Sequence, residues 1–208
     1  MTDTSLAVRR PRDVVAVVGP DARTYLQGQL SQDVEALEVG GSAETFLLQP
    51  AGKVDAWMRV SRLADDHFLL DVEEGFGPQV AARLTRFLLR TDCTVQEVQW
   101  DLVTVIDAEA SAFSPPVGGL ALAVEWPGLV AVDLLGPSVE LPGGLAEGSS
   151  RDWEVRRIAA GIPAMGSEMD STTIPGSTGV VERSASFTKG CYTGQELVAR
   201  LNSRSGGT

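Results

Sequence analysis

Lys189-Gly190-Cys191-Tyr192-Thr193-Gly194-Gln195-Glu196 sets a thiol beside a cation and just ahead of a helix start. Thr193 and Glu196 have the Thr-x-x-Glu spacing of a capping box, in which hydroxyl and carboxylate satisfy backbone N–H groups that the first helical turn leaves open. Leu197, Val198 and Leu201 follow as an apolar stripe. The pattern predicts a short helix with Cys191 near its positive end and Lys189 two residues away, and both neighbours favour thiolate over thiol. Gly190 and Gly194 permit backbone angles, or close ligand approach, that a side chain would obstruct. Cys191 is the candidate functional thiol and Lys189 its activating cation; the plain alternative is a structural cysteine buried in a tight loop.

Working outward, residues 13–18 are a β-rich run ended by Gly19-Pro20, and Asp21 can cap a helix burying Ala22, Tyr25, Leu26 and Leu30. Residues 43–49 and 54–62 read as a hairpin around Pro50-Ala51-Gly52-Lys53, and 67–72 as a third strand. Pro78 opens a helix whose Val80, Leu84, Phe87 and Leu88 share one apolar face. Residues 94–98 add a strand. Beyond Trp100, runs at 102–106, 121–124 and 129–134 are β-like, the last two paired around Trp126-Pro127-Gly128. Ser150 or Asp152 can cap a helix through Ala160, stopped by Gly161 and Pro163. Residues 164–185 carry little periodicity. The expected fold is α+β, two mainly antiparallel sheet halves with helices packed on them, one half covering residues 1–99 and the other 100–208 with the Lys-Gly-Cys stretch.

A chain of 208 residues with 43% hydrophobic and 22% charged residues is ordinary for a globular protein with a sizeable core. No apolar run approaches the roughly 18 residues of a membrane span, and the N-terminus has no signal-like apolar core, so no membrane association and a cytoplasmic location are expected. A net charge of −11 argues against direct strong nucleic-acid binding, which needs a basic surface. Two basic groups stand out, Arg83 with Arg86 and Arg90 at helical spacing, and Arg151 with Arg156 and Arg157. Both are read as solvated helix faces, with an anionic small molecule as the sharper reading for one of them. Cys93 and Cys191 lie far apart in sequence, and His67 sits at the edge of a polar turn. Two thiols do not supply the four that an iron–sulfur cluster usually takes, so no metal site is expected in this chain alone. A cluster shared with a partner stays open, with Cys191 as donor; Cys93 is assigned to core packing.

The octapeptide, extended through Leu197-Val198-Ala199-Arg200, resembles the signature of the YgfZ family. These are folate-binding proteins related to the T-protein (aminomethyltransferase) of the glycine cleavage system, and they include mitochondrial iron–sulfur assembly factors. Other similar blocks occur in order: Tyr25-Leu26-Gln27-Gly28-Gln29-Leu30 with Asp33-Val34, Ala51-Gly52-Lys53-Val54, Arg86-Phe87-Leu88-Leu89-Arg90, and Ala160-Gly161-Ile162-Pro163. The resemblance implies tetrahydrofolate or a derivative as cofactor, with Glu196, Gln195 and Asp33 as polar contacts to a pteridine edge and Tyr192, Trp57 and Phe187 as walls. Capping, a turn and the core are the respective bland roles of Glu196, Asp33 and Trp57. It also implies iron–sulfur client or assembly proteins as partners, and through them an influence on tRNA modification. The T-protein's Gly-Gly-x-x-Asp-Asp pattern is matched incompletely by Ala51-Gly52-Lys53-Val54-Asp55-Ala56. Asp55 remains as a candidate folate contact, and the lost carboxylate favours an accessory factor over the alternative, a tetrahydrofolate-dependent aminomethyltransferase-like enzyme. The resemblance implies a small C-terminal β-barrel after the signature, which is expected to be missing from this sequence ending at Thr208, whether as a natural short form or as a truncation.

Overall fold

The computed structural model describes residues 5–205, with side chains described through residue 200. Its elements in order are β1 (Leu6–Arg10), β2 (Arg12–Val18), α1 (Ala22–Gln29), β3 (Ser42–Leu48), β4 (Val54–Ala64), β5 (His67–Glu73), α2 (Gly77–Arg86), β6 (Thr94–Val98), β7 (Asp101–Ile106), β8 (Leu120–Trp126), β9 (Leu129–Gly136), β10 (Ala146–Glu147), α3 (Ser150–Ala160), α4 (Val181–Ser184) and α5 (Gln195–Ser205). They form two five-stranded sheets, ordered β10-β1-β7-β9-β8 and β3-β4-β5-β2-β6. The expected α+β architecture of two mainly antiparallel sheets with helices is what the chain adopts, and no closed barrel occurs among the described residues. No described helix is long and apolar enough to cross a membrane.

The two compact units are not consecutive halves. One takes Gln99–Pro163 together with the N-terminal run up to Arg12; the other takes Asp13–Val98 and the C-terminal run from Ala164. The chain crosses between the units after residues 12, 98 and 163, and the Lys-Gly-Cys stretch belongs with the sheet of residues 13–98. The first crossing follows β1, which is not evident as a strand from sequence because Arg9, Arg10 and Arg12 make it look like a polar terminus. Ala7 and Val8 are nevertheless buried, and β1 pairs antiparallel with β7 from Leu6↔Ile106 to Arg10↔Leu102. The Arg10 guanidinium lies 3.8 Å from the Trp153 ring centroid and donates to Thr104 Oγ1 at 3.2 Å. A cation is thus accommodated inside a sheet whose core is Ala7, Val103, Val105, Val132, Leu134 and Val139. In the same unit α3 starts at Ser149, which forms a capping box with Asp152, and stops at Gly161 in the left-handed region (φ 76°).

In the second unit, Phe46, Leu47, Leu48, Met58, Val60, Phe68, Leu69 and Leu70 of β3, β4 and β5 are buried with Ala22, Tyr25 and Leu26 of α1. The Tyr25 hydroxyl donates to Leu84 O at 2.6 Å, tying α1 to α2. Asp21 accepts at Oδ2 from Asp92 N and makes no side-chain cap of α1. The start of α2 is held instead by Asp13, whose Oδ2 accepts from Gly75 N and Gly77 N at 2.8 Å each. The helix ends at Arg86. Phe87 is exposed, and Arg90 lies past the helix end with φ 57°, so the three arginines do not share one helical face. Residues 164–185 gain order from a 3-10 turn at Pro175–Ser177 and from α4, and Thr173 O accepts from Val54 N at the start of β4.

Candidate functional site

The Lys-Gly-Cys loop is fastened at both ends. On its N-terminal side the Lys189 ammonium donates to Gln27 O (2.6 Å), Leu30 O (2.8 Å) and Gln32 O (2.8 Å). Two of these carbonyls belong to the end of α1 and the third to the turn after it, where backbone acceptors lack intrahelical donors. Burial lowers the Lys189 pKa to about 8, against the opposing carboxylates of Asp33 and Glu35. The ammonium also lies 5.0 Å from the Tyr192 ring centroid. Lys189 is therefore a clamp between the loop and α1, with all three ammonium donors committed to carbonyls.

On the C-terminal side Gly194 (φ 78°) rests on the turn of the β3–β4 hairpin. A Cβ there would fall 2.4 Å from Gln49 O and 2.8 Å from Leu48 Cβ. The contact is reciprocal: Gly52 (φ 82°) faces Leu197, and a Cβ at Gly52 would fall 2.8 Å from Leu197 Cγ. Thr193 N also donates to Gly28 O at 3.2 Å. Gly194 thus meets the demand for left-handed backbone and close approach, whereas Gly190 has open space and no left-handed φ.

The helix start differs from the expected capping box. It is Gln195 that reaches back, its Oε1 accepting from Tyr192 N at 3.1 Å, one residue earlier than the Thr193/Glu196 pairing would place it. The left-handed Gly194 delays the first helical residue to Gln195, and Glu196 is left exposed. Of the apolar stripe, Val198 is buried and Leu197 half-buried, while Leu201 lies outside the side chains described. Cys191, between the two fastenings, is exposed and free.

The remaining expected site residues are distributed unevenly. Asp33 accepts from Gln27 Nε2 at 3.0 Å and Ala36 N at 3.3 Å, as a turn-forming residue beside the Lys189 clamp. Tyr192 is buried, which raises its phenol pKa to about 12. Trp57 is also buried, with Nε1 donating to Ser184 Oγ at 2.8 Å. Phe187 is exposed. Cys93 is half-buried, and desolvation followed by Asp21 and Asp92 raises its pKa.

Asp55 stands in a second cluster of the same unit. In the β3–β4 ladder Leu47 pairs with Ala56 and Leu48 with Val54, so Asp55 is the extra residue of a β-bulge. Bulges re-aim side chains, and this carboxylate lies 3.4 Å from Arg83 Nε on α2. Desolvation raises its pKa, opposed by Arg83 and by a hydrogen bond with Gln49. Asp55, Gln79, Arg83 and Arg86 line a cavity of about 280 Å³ with Leu47 and Val80 as apolar wall. Gln49 and Gln79 carry no sequence signal, because their relevance depends on the bulge. The second arginine group is internally paired: Arg156 holds Asp107 at 2.9 Å, and Arg157 is ion-paired with Glu154 and donates to Ile162 O at 2.9 Å. Among the described residues no group of three or more His, Cys, Asp or Glu side chains is placed to hold a metal ion.

No family model matches the chain. Aminomethyltransferase T of the glycine cleavage system from Bartonella henselae superposes with a TM-score of 0.68 at 17% identity, over 96% of this chain and 64% of that one. The fold is therefore that of an aminomethyltransferase T. An uncharacterized protein of Haemophilus influenzae is 30% identical over 193 residues, 92% of this chain and 66% of that protein. The tRNA-modifying protein YgfZ of Klebsiella pneumoniae is 27% identical (92% of this chain, 65% of that protein). The mitochondrial iron–sulfur cluster assembly factor IBA57 homolog of Pyricularia oryzae is 26% identical (94% and 53%). The chain belongs to the YgfZ/GcvT-like family, and it spans just under two thirds or less of the length of these relatives.

Proposed function

We propose that this protein binds a reduced folate and presents Cys191 to iron–sulfur client or assembly proteins, as an accessory factor rather than a transferase. The observation that carries the reading is the double fastening of the loop, with Lys189 on three carbonyls and Gly194 on the β3–β4 turn, and an exposed thiol between them. Holding an exposed thiol in a fixed place suits a group offered to another macromolecule. The names of the relatives, a tRNA-modifying protein and an iron–sulfur cluster assembly factor, agree with it. Any effect on tRNA modification would run through such clients, since a net charge of −11 is unfavourable for RNA binding.

The fit to a folate is partial. The cavity at Asp55 combines apolar wall, carboxyl and guanidinium groups, as ligand sites do, yet at about 280 Å³ it lies at the lower limit of the roughly 300–1,000 Å³ of small-molecule pockets and takes one end of a folate rather than the whole. An iron–sulfur cluster is treated as cargo, with Cys191 one donor of a set completed by the partner. The test is complementation of a deletion strain with Cys191→Ser. Iron–sulfur enzyme activity should remain at the deletion level while tetrahydrofolate affinity is unchanged; full restoration by the variant overturns the central claim. Aminomethyl transfer is the second reading, favoured by a carboxyl of raised pKa in a cavity. Turnover of an aminomethyl donor, lost in Asp55→Ala, would establish it.

A further inference from the structure

The stretch that carries Cys191 is fixed on either side of the thiol but not at it. Lys189 N donates to Ser186 Oγ at 3.2 Å, in addition to the ammonium clamp. Gly190 has open space around it, and among the described residues neither Gly190 nor Cys191 makes a hydrogen bond of its own. The orientation of the thiol is therefore inherited from Tyr192, the next residue along. Tyr192 is gripped on both sides of its main chain by one residue. Its N–H donates to Gln195 Oε1 at 3.1 Å, and its O accepts from Gln195 N at 3.4 Å. The left-handed Gly194 (φ 78°) turns the chain tightly enough for Gln195 to reach back. Gln195 is itself the first residue of α5, so its bond to Tyr192 N satisfies none of the N–H groups that the first turn of α5 leaves open. It serves the loop and not the helix.

We propose that Gln195 is a positioning residue for Cys191. The Tyr192 N–H shares a planar peptide unit with the Cys191 carbonyl, so holding that N–H fixes the backbone torsion on the C-terminal side of Cys191 and sets where the sulfur points. Only the carbonyl end of an amide side chain accepts from an N–H, so the role belongs to Oε1 and any acceptor at that place can fill it. The need for this placement rests on the function proposed above; the placement itself does not.

The variants are Gln195→Met, which keeps the length of the side chain and loses the acceptor, and Gln195→Glu, which restores an acceptor at the same place. Gln195→Asn, too short to reach Tyr192 N, replaces the first if that variant does not fold. Gln195 is half-buried, so each should melt close to the wild type, and this is checked first. A nitroxide on Cys191 of the full chain, in a Cys93→Ser background, should show a mobile component that grows about three- to tenfold in Gln195→Met, the worth of one net hydrogen bond. Gln195→Glu should return the wild-type spectrum. In the deletion strain, iron–sulfur enzyme activity should fall with Gln195→Met and recover with Gln195→Glu, while tetrahydrofolate affinity stays unchanged in both. Equal spectra for wild type and Gln195→Met overturn the positioning role, and a loss of tetrahydrofolate binding beside equal spectra makes Gln195 a ligand contact instead. Full client activity with Gln195→Met, where Cys191→Ser has none, also overturns it and leaves the proposed function standing. Full activity with Cys191→Ser removes the proposed function instead, and the spectra alone then decide for or against Gln195.

Discussion

The Lys-Gly-Cys loop and the cavity at Asp55 belong to the same unit and touch the same hairpin, but they are held in opposite ways. The loop is fastened by backbone: three carbonyls receive Lys189, and Gly194 lies against Gln49 O. The cavity is bounded by side chains at long range, Arg83 having no acceptor nearer than 3.3 Å. Backbone contacts leave no slack and fix a position; loosely paired side chains leave room to re-pair with something that arrives. The proposed function assigns the presentation of a group to the first of these regions.

The contrast is broken most directly at Gly194. Gly194→Ala adds a Cβ 2.4 Å from Gln49 O at φ 78°, so strain and overpacking together should cost about 3 kcal/mol in chemical denaturation. Gly190→Ala, in open space, should stay within about 0.5 kcal/mol. Equal effects at the two glycines would mean that the loop is not docked on the hairpin.

Lys189→Met should cost less, about 1–2 kcal/mol, because it leaves three carbonyls without their donor but also removes a desolvated charge. The clamp carries a pH signature as well. The folded-state pKa of about 8 lies below the ~10.4 of a free lysine, so the folded state binds fewer protons than the unfolded state between those values. The burial penalty is fully present below pH ~8 and is relieved as pH rises toward ~10. Wild-type stability measured against Lys189→Met by urea denaturation should therefore improve across that window, and a flat difference would show that the ammonium is not desolvated. Smallest of all, Cys191→Ser should change stability by under about 0.5 kcal/mol, since the side chain is exposed. A larger loss would make Cys191 a packing residue and remove the basis for a presented thiol.

Much of the fold was legible because hydrophobic periodicity is a local signal. Strands at 43–49, 54–62 and 67–72 match β3, β4 and β5 to within two residues, and α1 buries Ala22, Tyr25 and Leu26 as expected. β1 was not, since a strand carrying Arg9 and Arg10 makes sense only once Trp153 and Thr104 are brought to it from more than ninety residues away. The pairing of β1 with β7 joins the N-terminal run to residues 99–163. The C-terminal run is held in the other unit by separate contacts, among them Val54 N to Thr173 O and Lys189 to the carbonyls at the end of α1. Within the site, Cys191 and the need for glycine at 194 could be read from the octapeptide. The partners of Lys189 could not, because they are backbone carbonyls, which look alike in every sequence.

The two arginine groups show where local information ends. Arg83 with Arg86 and Arg156 with Arg157 present the same picture in sequence, basic residues close together on a helix. In the folded chain Arg156 and Arg157 are matched to Asp107, Glu154 and Ile162 O, whereas Arg83 and Arg86 face a cavity. The sequence by itself determined the family signature, most of the elements between residues 12 and 160, and the presence of a thiol beside a cation. Tertiary structure alone decided that the cation clamps α1, that a bulge turns Asp55 toward α2, and which arginines line a cavity. Those outcomes depend on distances between residues remote in the chain, and no local pattern encodes a distance.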